Sequence, residues 1–206
     1  MSDAQLLQAW AEGDRQAGEQ LFERHFEAIA RFFRNKLPSD AQHEDLIQQT
    51  FLGCVEARER FRGDASFRSF LFAIAHNQLS KYWRARSRDR LDLQTISVFD
   101  LDPSPSAALA RDEDQHRLLH ALRRIPLDAQ VALELHYWEA MTAAEIAEVL
   151  GVPLGTAKTR LRRAKQLLEA ELRELDAGLA VEATGTRLDT WARELREHLF
   201  SGRSQD

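Results

Sequence analysis

Apolar residues recur at helical spacing along almost the whole chain, and the pattern fails at only one long internal stretch. The cleanest run is Phe67, Phe70, Leu71, Ile74, Ala75, Gln78, Leu79 and Tyr82, a 3-4 spacing held for four turns. Upstream, Leu21, Phe22, Phe26, Ile29, Ala30 and Phe33 follow the same rule until Pro38, which cannot continue a helix. Leu46, Ile47, Phe51, Cys54 and Val55 predict an inward-facing stripe on a helix that starts after the polar residues 39–45. That helix should end near Phe61, where Arg62-Gly63-Asp64 reads as a turn. Residues 91–110 lose the period: they carry Pro103 and Pro105 interleaved with Ser104 and Ser106, together with three aspartates, and predict an acidic, flexible linker. Beyond it Leu118, Leu119, Leu122 and Ile125 lie on one helix, Pro126 breaks it, and Val131, Ala132, Leu135 and Trp138 lie on the next. After Leu175 comes a loose stretch, then a short stripe of Leu188, Trp191, Ala192, Leu195 and Leu199. The expected fold is all-α: two small helical domains at 1–90 and 111–175, the linker 91–110, and a short helical tail at 176–206.

Composition removes several alternatives. With 206 residues, 44% hydrophobic and 30% charged, the chain has material for packed cores. Its single cysteine, Cys54, excludes a disulfide framework or a cysteine-rich zinc module and suits a reducing compartment. Nine Gly, five Pro and two Tyr argue against a strand-and-turn protein. The first residues have no basic start followed by an apolar run, and no uncharged apolar stretch approaches the ~18 residues of a membrane span. A soluble, cytoplasmic protein without membrane insertion is expected. Enzyme chemistry also fails on spacing. His43-Glu44-Asp45 has no second His at position 47 for a zincin site, and Glu134 and His136 fall on different helix faces. GVPLGTAK follows no strand and places Lys158 only three residues after Gly155, unlike a phosphate-cradling loop. No catalytic residue, metal or cofactor is expected.

Net charge is −5, which alone argues against a polyanionic partner. Its distribution reverses that conclusion. Residues 58–90 hold nine basic and three acidic side chains, and residues 153–168 hold five basic and none acidic, whereas the rest of the chain is acidic. Two compact basic blocks separated by acid are the footprint of contact with a polyanion at two places.

The second block lies in TAAEIAEVLGVPLGTAKTRLRRAKQLL, residues 142–168. Thr142 and Glu145 have the spacing of a capping box. Ile146, Ala147, Val149 and Leu150 follow, Gly151 stands where a left-handed cap is needed, and Pro153 turns the corner. Ala157, Leu161, Ala164 and Leu168 form the buried edge of the next helix. Its other face offers Thr156, Lys158, Thr159, Arg160, Arg162, Arg163 and Lys165. A capped helix, a glycine corner and a cationic second helix describe a DNA-binding helix-turn-helix. A hairpin buried inside a bundle would not carry five uncompensated cations.

The first block mixes cations with aromatics. On the helix through 67–84 the apolar stripe leaves Phe72, His76, Asn77, Ser80, Lys81 and Arg84 off the core side. An off-stripe Phe beside an Asn and cations suits single-stranded DNA, because rings stack on bases and an amide reads a flipped base's edge. Phe67 and Tyr82 are expected in the core.

In this order the parts resemble the extracytoplasmic-function (ECF, group IV) sigma factors of bacterial RNA polymerase, within the sigma-70 family. The resemblance covers about residues 5–175. It rests on HEDLIQQTF and RFRGDASFRSFLFAIAHN in the first domain and on RRIP and ALELHYWEAMTAAEIAEVLGVPLGTAKTRLRRAK in the second. It implies that Asp45, Gln48, Gln49 and Phe51 contact the clamp helices of the polymerase's largest subunit. It implies that Phe61, Phe70, Phe72 and Asn77 separate the strands and hold an unstacked base of the minus-ten element, with Lys81, Arg84, Arg86 and Arg88 on the backbone. Thr156, Lys158, Thr159, Arg160 and Arg163 would then read the minus-thirty-five element. Core RNA polymerase, promoter DNA and an anti-sigma factor are the implied partners; a stand-alone helix-turn-helix regulator is the alternative.

Overall fold

A computed structural model of the chain describes residues 1–37, 40–58, 61, 66–86, 94–101 and 113–175. Among these, nine helices follow one another: α1 Asp3–Ala11, α2 Arg15–Arg34, α3 Asp40–Ala57, α4 Phe67–Arg86, α5 Val98–Leu101, α6 Glu113–Arg124, α7 Leu127–Tyr137, α8 Ala143–Leu150 and α9 Leu154–Leu175. The chain divides into two compact units, Met1–Leu91 with Ala144–Pro153, and Asp92–Ala143 with Leu154–Asp206. The expected tail helix at 188–199, the linker residues 91–93 and 102–110, Pro38 and the Arg62-Gly63-Asp64 turn lie outside the described residues.

The first unit begins earlier than its hydrophobic stripe suggests. Ser2 and Gln5 form a reciprocal capping box that starts α1. Asp14 then accepts from the backbone N–H groups of Gln16 and Ala17, at 2.9 and 3.3 Å, and starts α2 six residues before Leu21. Between them the chain turns at Gly13, whose φ of +106° favours glycine. The two helices touch where Trp10 lies on Gly18: a Cβ there would stand 2.6 Å from the indole nitrogen. α3 likewise starts at Asp40, within the polar stretch expected to precede it. At the far end of α2, buried Lys36 donates its Nζ to the Phe32 carbonyl and lies 4.3 Å from that ring's centroid.

α4 packs against α1, α2 and α3. It therefore buries two stripes rather than one. Phe67, Leu71, Ala75 and Leu79 form the expected stripe, while Ser69, Phe72, Ser80 and Trp83 form a second. Phe72 is fully enclosed, edge-on to Phe32 at 5.6 Å, which corrects its expected place off the core side. Two other expectations change in the opposite sense: Phe26 is 47% exposed and Val55 38% exposed.

In the second unit α6, α7 and α9 enclose Leu118, Leu119, Leu122, Ile125, Leu133, Trp138, Ala164, Leu168 and Leu172. Each Leu or Ile among them contributes about 1.5–3 kcal/mol on burial, enough together to hold a small bundle. Arg124 Nε donates to Glu171 Oε2 at 2.6 Å and ties α6 to α9. The linker expectation needs a correction, because residues 94–101 are structured. Ser97 pairs with Pro126, the Leu127 N–H donates to the Ile96 carbonyl at 3.0 Å, and Val98 is fully buried. Ser97 and Asp100 cap each other's side of α5, while Phe99 meets His120 and Arg124. A window scan for period misses this segment, since one buried Val and one ring suffice to dock four helical residues.

Candidate nucleic-acid and protein interfaces

With two stripes buried, α4 leaves one narrow face. Phe70, Asn77, Lys81 and Arg84 succeed one another at spacings of 7, 4 and 3, so they line up along it. Phe70 is half-buried and meets Phe61 at 4.9 Å between centroids, with planes tilted by 55°. Asn77, Lys81, Arg84 and Arg86 are exposed. The Arg86 guanidinium lies 5.2 Å from the Tyr82 ring centroid, and the Tyr82 hydroxyl donates to Gln42 Oε1 at 2.6 Å. Phe61 also borders a concavity of about 440 Å³ walled by Leu7 and Trp10 of α1, Arg58 and Phe67. Phe72 is not brought to this face, and Arg88 lies outside the described residues.

The helix-turn-helix segment has the expected local geometry. α8 ends at Leu150, Gly151 adopts φ +63°, and the Val152 N–H donates to the Ala147 carbonyl at 2.9 Å. Pro153 precedes α9, whose buried edge is Ala157, Leu161, Ala164 and Leu168, continued by Leu172. Thr156, Lys158, Thr159, Arg162 and Arg163 are exposed. The Thr159 hydroxyl donates to the Gly155 carbonyl at 3.0 Å. Arg160 differs from its neighbours: its Nη1 donates to Asp128 Oδ2 at 3.3 Å and its side chain is only 22% exposed. Lys165 stands 5.0 Å from the Tyr137 ring centroid.

A third surface lies on α3. Asp45, Gln48 and Gln49 are exposed, with Gln49 Nε2 donating to Asp45 Oδ2 at 2.8 Å. Phe51 is half-buried, 4.8 Å from Phe22 and stacked nearly parallel with Phe26 at 6.2 Å. Leu52, 58% exposed, shares the face of Asp45, Gln48 and Gln49 at helical spacing and escaped the sequence reading. The signal for it was available: counting seven residues on from Asp45 reaches Leu52.

Cys54 and Asp3 depart from their ordinary behaviour. Burial pushes the Cys54 thiol up to about 12, so it stays a protonated core residue. Partial burial raises the Asp3 carboxyl, but hydrogen bonds and charge from Arg24 and His25 outweigh this and leave its pKa below the usual value. Among the described residues no three His, Cys, Asp or Glu side chains gather as a metal site. No described helix is long and apolar enough to cross a membrane.

A capped helix with a glycine corner, a cationic helix following it in the chain, and a separate aromatic, amide and cation face point to a class of DNA-binding transcription factor. Comparison with known families agrees. The family models for sigma-70 region 2 and sigma-70 region 4 match residues 21–89 and 115–168. The ECF RNA polymerase sigma factor SigM of Mycobacterium tuberculosis is 31% identical over 182 residues, covering 87% of this chain and 89% of the relative. The RNA polymerase sigma-H factor of Pseudomonas aeruginosa is 27% identical over 183 residues, covering 84% and 95%. Among solved structures, CnrH in complex with the cytosolic domain of CnrY has a TM-score of 0.64 at 26% identity, covering 86% of this chain and 99% of that one. The sigma factor RpoE of Bartonella quintana, solved with the anti-sigma factor NepR, shares the fold at 21% identity with a TM-score of 0.58, covering 75% and 96%. The chain belongs to the ECF sigma factors of the sigma-70 family and directs transcription initiation.

Proposed function

We propose that this sigma factor binds core RNA polymerase through Asp45, Gln48, Gln49 and Phe51 on α3, opens and reads the minus-ten element with residues 1–90, and reads the minus-thirty-five element with residues 111–175. The residues between are the connection, with 176–206 an extension. The observation that carries the reading is the α4 face, where the half-buried Phe61–Phe70 pair adjoins exposed Asn77 and a run of cations. Unstacking one base costs a few kcal/mol. Stacking on a ring returns about 1–3 kcal/mol per base, and Lys81, Arg84 and Arg86 add phosphate contacts. Arg88 extends that set. On α9, Lys158 and Arg163 suit guanine edges or phosphates, and Thr156 and Thr159 suit either. The acidic balance elsewhere weakens DNA binding by the free chain, so promoter contact depends on the polymerase. The protein makes no covalent chemistry, acts in the cytoplasm, and is held in check by an anti-sigma factor, as the solved complex of the Bartonella quintana relative illustrates for that protein.

The test is transcription by purified chain and core enzyme on a genomic library. RNA starts preceded by a shared pair of elements at minus-ten and minus-thirty-five are expected. Absence of RNA from every template would overturn the reading. A stand-alone regulator would instead bind duplex operator without polymerase.

A further inference from the structure

We infer that Asp128 is a positioning residue for duplex recognition: it holds Arg160 in one orientation and keeps that cation from binding phosphates indiscriminately. The inference rests on the reading that α9 meets duplex DNA. Asp128 stands in the first turn of α7, just after Pro126, where the helix's unpaired N–H groups favour a carboxylate. Its side chain is 14% exposed, and its Oδ2 accepts from Arg160 Nη1 at 3.3 Å. Arg160 and Arg163, three residues apart on α9, line the same small cavity of about 70 Å³ beside Asp128 and Gln94. A lone carboxylate beside a surface meant for phosphates repels them; paired with Arg160 it becomes a buttress.

The guanidinium has five donors in a fixed fork, so engaging one leaves others to meet DNA from a defined position. An arginine already restrained loses less side-chain freedom when the correct duplex arrives. A wrong sequence offers it only phosphates, and reaching them requires breaking the ion pair. Lys158, Arg162 and Arg163 are exposed and lack this restraint from Asp128.

The experiment uses holoenzyme and a promoter recovered from the library transcription, with a second template altered in the minus-thirty-five element. Dissociation constants are measured between 50 and 200 mM salt for the native chain and for Asp128→Asn. One released cation steepens the salt slope by about 0.9, an extra loss of affinity of roughly threefold across that range. Asp128→Asn should show this steepening, bind the altered template more tightly at low salt and discriminate less. Asp128→Glu should restore native behaviour. An unchanged slope with unchanged discrimination overturns the inference, as does the same shift in an Arg160→Ala background. If Asp128→Asn fails to fold, Arg160→Lys keeps the charge but loses the fork and should show the same loss of discrimination; native selectivity in that variant counts against it. Replacing Lys158, Arg162 and Arg163 together by Ala separates the two readings, since undiminished dependence on the minus-thirty-five element in that variant would refute duplex reading by α9 itself.

Discussion

α4 and α9 look alike in the sequence, each about twenty residues long with cations interspersed among apolar residues, yet they present opposite surfaces. α9 rests on α6 and α7 and buries a single stripe from Ala157 to Leu172, so most off-stripe residues are open. α4 meets α1, α2 and α3 and buries two stripes, so up to its last turn the line through Phe70, Asn77, Lys81 and Arg84 is what is left for partners. The number of neighbours, which periodicity does not encode, decides how much of a helix is available for partners. One helix therefore offers a broad field of charge suited to a duplex. The other offers a narrow strip where a ring and an amide can capture a single base.

The sharpest way to break this contrast is at Phe72. Phe72→Ala should cost about 3–5 kcal/mol of stability, because it empties a fully enclosed site against Phe32. Phe70→Ala should cost markedly less stability while impairing promoter opening. Chemical denaturation of both variants measures the difference; equal stabilities would mean that α4 does not bury a second stripe. On the other helix Arg163→Ala should leave the fold intact and lower discrimination at the minus-thirty-five element by about 1–3 kcal/mol, the worth of a bidentate arginine–guanine contact. Template competition with holoenzyme reads it, and unchanged selectivity would remove Arg163 from the reading set.

How far the sequence could be read follows the same division. The buried edge of α9 from Ala157 to Leu168 is legible, since one stripe on one side is what a helical period describes, and Gly151 and Pro153 mark the helix's start chemically. The core of α6 and α7 was readable for the same reason. Phe72 was misplaced because a second stripe offset from the first looks like an exposed face until its neighbours are known. α1 was missed although Ser2 and Gln5 spell a capping box, because Leu6 and Trp10 alone make too short a stripe. Phe26 and Val55 show the converse: their apolar spacing predicts core, yet the helices leave both side chains exposed. The Arg160–Asp128 pair joins residues 32 apart, a distance at which charge patterning along the chain is silent.

Asn77 tests the narrow strip with a smaller effect. Its side chain is exposed on the line of Phe70 and Lys81, so Asn77→Ala should leave stability and duplex binding within about 0.5 kcal/mol, as for other surface changes. Open-complex formation should weaken by about 0.5–1.5 kcal/mol, one lost hydrogen-bonding group. Permanganate reactivity of melted thymines reports it. Native reactivity in the variant would mean that the base is held elsewhere, and that the strip works by ring and charge alone.

The smallest effect separates the units by acid sensitivity. Asp3 of α1 accepts hydrogen bonds from Arg24 Nη1 and His25 Nε2 of α2, and its pKa lies below the ordinary 3.8. A carboxyl lowered in the folded state binds fewer protons there than when unfolded, so it stabilises the fold at pH values above 3.8. That contribution fades as pH drops through the folded pKa. Because the carboxylate is 31% exposed, solvent screening keeps it below about 1 kcal/mol. Asp3→Asn should therefore lower stability slightly at neutral pH and flatten the acid limb of the first unit's stability curve below about pH 4. Parallel acid limbs for native and variant chains would show that α1 is held by Leu6 and Trp10 alone, leaving its ion pairs without energetic weight.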